Sequence, residues 1–210
     1  NDSTIYYANK VIEYGRFSLA TAATYPDLFA NATASTETIL CVAFTPVDDY
    51  GKFGSIASMI YSNGNSGWGE EYASASLRDT MSAHPEDVRW KYIIPLKDDN
   101  GVLQQKNGID IYYISKFSGQ GGSPTLNSPV LFRLAEMYLN RAEAEAKAGK
   151  TAAALDDVDM IRSNRGLEGA LYHQQLPAGK TALDVVLKER RLELAFEGHR
   201  TFDVYRNKKT

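Results

Sequence analysis

The sequence predicts a mainly α-helical fold of antiparallel helical hairpins, with short β-strands and long loops. Three observations predict it. Apolar residues recur at helical spacing from Pro129 to Gly149 and again from Thr151 to Arg165, on either side of the break Ala148-Gly149-Lys150. A third helical pattern, Thr181 to Gly198, carries charges among its leucines. Residues 1–128 hold only short patterns, set among glycine, serine, asparagine and tyrosine.

Taken in order, Ser3 or Thr4 caps a helix with Ile5, Ala8, Val11 and Ile12 on one face and Gly15 at its end. Residues 17–29 read as a loop anchored by Tyr25, Pro26, Leu28 and Phe29. Thr38 to Phe44 is a short apolar run with Pro46 beyond, the pattern of a strand. Asp48 to Trp68 reads as a long loop with turns at Asn63-Gly64 and Asn65-Ser66-Gly67. A short helix is expected at Ala75 to Met81, then a cap and turn from Pro85 to Arg89 and a strand at Trp90 to Ile94. Asp98-Asp99-Asn100-Gly101 lacks the remaining positions of a calcium loop, so Lys97 to Gly108 reads as a hairpin or flexible tip. Ile109 to Phe117 is rich in β-branched and aromatic residues and predicts a strand. Ser118 to Ser128 is a flexible loop from which Gln120 and Asn127 could reach a ligand.

Pro129 opens the long helix in this reading, and Leu131, Leu134, Ala135, Tyr138, Leu139, Ala142 and Ala146 share a face. Alanines at 142, 144, 146 and 148 let the Thr151 to Arg165 helix approach closely through Ala154, Leu155, Val158 and Ile161. The pair is like one tetratricopeptide repeat, without a second clear copy of the period. Residues 166–179 connect it to the charged helix.

In that last helix Glu189, Glu193 and Glu197 are four apart and repel one another unless cations face them. Arg162, Arg165, Arg190, Arg191 and Arg200 are at hand, so the reading is an interhelical ion-pair network weighed against a catalytic carboxylate pair.

Composition bounds the function. The chain has 210 residues, 43% hydrophobic and 23% charged, with a net charge of -3, which does not give the basic stripe of a nucleic-acid binder. Cys41 is the single cysteine, so no internal disulfide forms, and its apolar run places it in the core. His84, His173 and His199 have no second ligand at helical spacing, so no zinc site is expected. No G-x-S-x-G elbow occurs, and GQGGSP lacks the Lys-Ser/Thr of a phosphate loop. No stretch approaches the length of a membrane helix, and the N-terminus shows no signal-peptide pattern.

Tyrosine leads the aromatic residues (Tyr 13, Phe 8, Trp 2), and the stretch Asp48 to Tyr72 interleaves them with Asn and acidic residues. A sugar ring stacks its C–H face on an aromatic side chain while its hydroxyls need polar partners at the rim. Tyr50, Tyr61, Asn63, Asn65, Trp68 and Tyr72 are therefore the candidate ligand residues, with packing of the loop onto its own domain as the other use of the same aromatics.

Three spaced motifs also carry a family resemblance. RLAEMYLNRAEAEAKAG, a second helix ending IRSNRG, and ERRLELAFEGHRTFD resemble, in this order, the C-terminal signature of SusD/RagB-type proteins, the surface glycan-binding lipoproteins of bacterial polysaccharide uptake. ETILCVAF, GWGEEYASASLRD and EDVRWKY resemble the middle of such proteins more loosely, and Asp87 and Arg89 match a structural Asp-x-Arg pair. The resemblance implies a SusD-like α-α superhelix, of which residues 1–210 are one domain fragment: 1–128 the loop-rich, ligand-facing part, 129–206 the helical signature. It implies a non-catalytic binder of oligo- or polysaccharide at the outer-membrane surface. Its partner would be a SusC-like TonB-dependent transporter, with a lipid anchor outside these residues and no cofactor. It also assigns His199, Arg200 and Asp203 to the family's EGHR-x-F-D turn. The alternative is a helical-repeat scaffold for a peptide or protein partner; a glycosidase using Asp48 or Glu70 with another acid ranks third.

Overall fold

The computed structural model describes residues 1–64 and 66–208. Its helical part is α1 (Asp2–Glu13), α4 (Leu134–Lys147), α5 (Thr151–Ser163), α6 (Ala182–Glu193) and α7 (His199–Asn207), while the short helices α2 (Ile56–Ile60) and α3 (Ala75–Met81) belong to the loop-rich part. α4 and α5 form the expected antiparallel pair, turned at Gly149 with φ 75°, and α4 also packs on α1 and α6. The seam between α4, α5 and α6 is apolar. Ala142, Ala154, Leu155, Val158, Val185 and Val186 fill it, each larger side chain contributing roughly 1.5–3 kcal/mol of burial. α6 starts where Thr181 and Asp184 form a reciprocal capping box.

Among the described residues six short strands pair into three antiparallel two-stranded ribbons: β1 (Thr38–Cys41) with β6 (Val130–Arg133), β2 (Ile93–Pro95) with β5 (Tyr112–Ile114), and β3 (Gln105–Lys106) with β4 (Ile109–Asp110). Pro129 therefore does not open the long helix. Val130, Leu131 and Phe132 suit a strand as well as a helix, and Thr38–Cys41 offers a free edge that wins them; the helix begins at Leu134. Cys41 lies on that ribbon and is half-buried rather than a core residue. The Asp48 to Trp68 stretch is not a plain loop either, for it contains α2 and 3-10 turns at Pro46–Asp48 and Gly51–Phe53. Pro85 to Ile94 becomes a 3-10 turn, Val88–Tyr92, leading into β2, and the single strand expected at Ile109 to Phe117 breaks into β4 and β5 around Ile111. Gly198, φ 82°, joins two helices instead of ending the last one: α6 stops at Glu193 and α7 follows the glycine.

The two parts are joined by a buried ionic core. Glu193 accepts from Arg165 at 2.8 Å, Arg133 at 2.6 Å and Arg89 at 3.2 Å; Glu189 from Arg89 at 2.7 Å and Arg162 at 3.0 Å. Glu37, just before β1, accepts from Arg133 at 2.7 Å and Arg165 at 3.0 Å, and Glu197 from Arg133 at 2.7 Å and Lys116 at 2.6 Å. Asp87 closes the set by pairing side-on with Arg89. Five cations thus face five carboxylates with almost no exposure to water. Burial alone would raise the Glu193 carboxyl, but the guanidiniums of Arg165, Arg133 and Arg89 outweigh it and hold the group well below the usual carboxylate range. Burial weakens the hold of Lys116 on its proton, yet its ammonium is fully engaged, donating to Glu193 O, Ala195 O and Glu197 Oε1.

The i, i+4 glutamates do form the core of an interhelical network, with Arg162 and Arg165 as expected. Of its other cations, Arg89 and Lys116 come from the loop-rich part and Arg133 from the end of β6. Arg190 turns away to Asp203 at 3.1 Å and Asn140 at 2.8 Å, while Arg191 donates to Ser76 Oγ at 2.9 Å. Arg200 is exposed on α7.

Candidate functional site

The aromatic segment stands on α2 and the two turns before it. Asp48 caps the first turn by accepting from Thr45 N at 2.7 Å and Thr45 Oγ1 at 2.8 Å. Asp49 anchors the segment to the 118–128 loop, accepting from Ser123 Oγ at 2.5 Å and Thr125 Oγ1 at 2.8 Å, and from Gly51 N at 2.9 Å. The Ser123 bond above all lowers its carboxyl; burial opposes it, and the Gly51 and Thr125 bonds add to the lowering. Ser55 caps α2 by accepting from Ser58 N at 3.2 Å. The chain then folds back so that Trp68 N and Gly69 N donate to Ser58 O, and Glu70 N to Met59 O at 2.7 Å. Two glycines make that return possible. A Cβ on Gly67 would sit 2.1 Å from Tyr61 O, and one on Gly69 would sit 2.5 Å from the Tyr113 ring, with φ of 81° and 56°.

This scaffold presents two aromatic groups. In the first, Phe53 and Trp68 meet edge to face, centroids 6.1 Å apart, with the Lys52 ammonium 5.2 Å and 5.5 Å from their ring centres. Trp68 Nε1 donates to Lys52 O at 2.6 Å, which fixes the indole and leaves its ring for contact. Tyr50, Phe53 and Trp68 are 74%, 79% and 53% exposed. In the second, Tyr61 and Tyr72 both pack edge-on against Tyr113 of β5, at 6.1 Å and 6.0 Å, and are half-buried. The rings are steeply inclined, at 62° to 79°, rather than coplanar as a continuous stacking platform would require. Edge-to-face contact satisfies the ring quadrupoles better than a flat array does.

The predicted residues therefore divide. Tyr50 and Trp68 are open to solvent; Tyr61 and Tyr72 are partly used in packing. Asn63 is exposed, and its Oδ1 accepts from Ser66 N at 2.8 Å, so it shapes the turn. Asn65 lies outside the described residues. Sequence reading passed over Lys52, Phe53 and Tyr113 as site residues. Phe53 stood in the same aromatic stretch, and Tyr113 was legible only as part of a strand. Gln120 and Asn127 are not ligand donors held in a free loop: Gln120 bonds Phe44 O at 2.7 Å and Ser128 N at 2.7 Å, and Asn127 is buried against Phe29 O at 2.8 Å. Among the described residues no three His, Cys, Asp or Glu side chains converge to hold a metal. No helix among the described residues is long and apolar enough to cross a membrane.

The sequence model of the SusD family matches residues 55–210. The chain belongs to the SusD family. Its α2, Trp68, Tyr72 and every member of the ionic core except Glu37 fall in the matched residues, while Tyr50 and Phe53 precede them. The SusD-like protein P38 of Formosa agariphila is 32% identical over 139 residues, 56% of this chain and 28% of that protein. A SusD superfamily protein from Bacteroides thetaiotaomicron has the same fold with a TM-score of 0.78 at 27% identity, over 98% of this chain and 45% of its own. Surface glycan-binding protein A from that organism, solved in complex with laminarihexaose, shares the fold at 19% identity and a TM-score of 0.69, over 98% and 50% of the two chains. The chain spans half or less of the length of these SusD-family relatives.

Proposed function

We propose that this chain binds oligo- or polysaccharide without cleaving it, through the aromatic segment 50–72, as the ligand-facing part of a cell-surface SusD-type protein. The observation that carries the proposal is the exposed Tyr50, Phe53 and Trp68 group on a segment fixed by Asp49, Ser55 and two glycines. Rings held open to water at this cost of apolar hydration suit the C–H faces of sugars, and Lys52 with Glu70 and Glu71 supplies polar groups alongside. Family membership supports the ligand class, and the shared fold is one on which surface glycan-binding protein A carries laminarihexaose. In this reading the captured glycan passes to a SusC-like TonB-dependent transporter in the outer membrane, and a lipid anchor outside these residues holds the protein there.

Two competing readings fare worse. A scaffold of the tetratricopeptide type needs an apolar groove on the α4–α5 hairpin, but Ala135, Leu139, Leu155, Val158 and Ile161 are all buried within the fold. A glycosidase needs two carboxyls facing each other across a cleft, whereas Asp48 is engaged within its own turn by Thr45 N and Thr45 Oγ1. The test is a glycan array spanning α- and β-glucans, pectins, mucin glycans and N-glycans, with product analysis on the same samples. Saturable binding with the glycan recovered intact is expected; release of shorter products would overturn the non-catalytic reading.

A further inference from the structure

The ionic core matches every cation with a carboxylate, and one cluster of cations stands outside this arrangement. A cleft of about 570 Å³ opens between α3, α6 and the start of α7. Asp184, Leu187, Lys188 and Arg191 reach it from one stripe of α6 at i, i+3, i+4 and i+7, and Lys180 and Arg200 reach it from either side. Among the described residues no carboxylate lies within ion-pair distance of Lys180, Lys188, Arg191 or Arg200. The cleft's two acids, Asp79 and Asp184, stand against these four cations, and Asp184 also accepts from Thr181 N and Oγ1 at the cap of α6, so the lining keeps a positive excess. Arg191 has a hydroxyl, Ser76 Oγ, as its hydrogen-bond partner.

Arg200 sits in the first turn of α7, whose N-cap, Gly198, offers no capping side chain. A cation there faces the positive end of the helix dipole, an arrangement that an anion relieves. Arg191 feels the same excess: burial first, then the Arg200 charge, weakens its hold on its proton.

We propose that this cleft binds an oxyanion, the carboxylate or sulfate ester of an acidic saccharide, between Arg191, Arg200 and Lys188. Two guanidiniums present planar forks that match either group, and the cleft is wide enough for a sugar unit bearing it. The saccharide source rests on the reading that the chain binds glycans; the oxyanion chemistry rests on the cleft alone. The site lies on different elements from the aromatic segment, so the two can be separated.

Calorimetric titration of the full chain with three oligosaccharides of equal length, one neutral, one of uronic acids and one sulfated, tests it. The acidic probes should bind more tightly than the neutral one and lose affinity as salt is raised. Arg200→Gln and Lys188→Gln, both at exposed positions, should each weaken the acidic probes about tenfold and leave the neutral probe unchanged. Acidic and neutral probes bound alike, or acidic affinities unmoved by both substitutions, would overturn the proposal. Acidic binding that depends on Arg200 but not on Trp68, with no neutral binding, would uphold the cleft and refute the aromatic site; the reverse pattern would do the opposite.

Discussion

Arg133 donates to Glu193 at 2.6 Å with both side chains removed from solvent, and this contact links the end of a strand to the end of a helix 60 residues later. Arg133 also reaches Glu37 and Glu197, so a single guanidinium ties β6, the segment before β1 and the α6–α7 turn together. Replacing it by methionine leaves three carboxylates short of a partner. A cost of roughly 3–5 kcal/mol is expected, a fall in melting temperature of about 10 °C. Thermal unfolding followed by circular dichroism measures it, and a shift under 2 °C would show that the network contributes little.

Much of this frame was legible in the sequence. The helix at Ala75 to Met81, the turn at Gly149 and the start of the last long helix at Thr181 stand where periodicity and caps placed them. The glutamates at four-residue spacing announced a network but not its partners, because Arg89, Lys116 and Arg133 meet them only through tertiary folding. Pro129 misled for a related reason: Val130 to Phe132 fits either element, and its choice depends on a strand 90 residues away. At the site, the aromatic stretch was legible, whereas ring inclination and the role of Tyr113 follow from packing that no local pattern encodes.

Acid should undo a second cluster. Burial pushes the Glu143 carboxyl up, and bonds from Arg206, Lys147 and Asn207, with the Arg190 charge, reverse this and bring it to about 2 from 4.5. A carboxyl lowered on folding stabilises fully above its unfolded value and loses that contribution as pH falls toward its folded one. Urea midpoints should therefore decline between pH 5 and pH 2, and Glu143→Gln should lower the neutral-pH midpoint and flatten the decline. An unchanged slope in this variant would assign the acid sensitivity elsewhere.

Glu145 behaves in the opposite sense. Burial, then the nearby Asp157 charge, raises its carboxyl, and Oε2 has no hydrogen-bond partner. Its ionised form disfavours the folded state increasingly as pH rises past its unfolded value. Glu145→Gln should raise the melting temperature at pH 7 and give little gain near pH 4; an equal gain at both would refute the electrostatic cause.

Gly67 is a backbone test of the site. An alanine there would carry its Cβ to 2.1 Å from Tyr61 O at a φ of 81°. The strain, about 1–3 kcal/mol, is relieved by moving the Trp68 return. Gly67→Ala should lower glycan affinity nearly as far as loss of the indole does, with the helical core melting as before. Full affinity in this variant would show that binding does not depend on how the return is set.

The most direct measurement is titration of the chain and of Trp68→Ala with a glycan found on the array. The indole is open on its ring and fixed by Lys52 O, so its removal should weaken binding about tenfold, or about 1.4 kcal/mol, with an unchanged circular dichroism spectrum. The same affinity in a folded Trp68→Ala variant would contradict the aromatic segment as the glycan site.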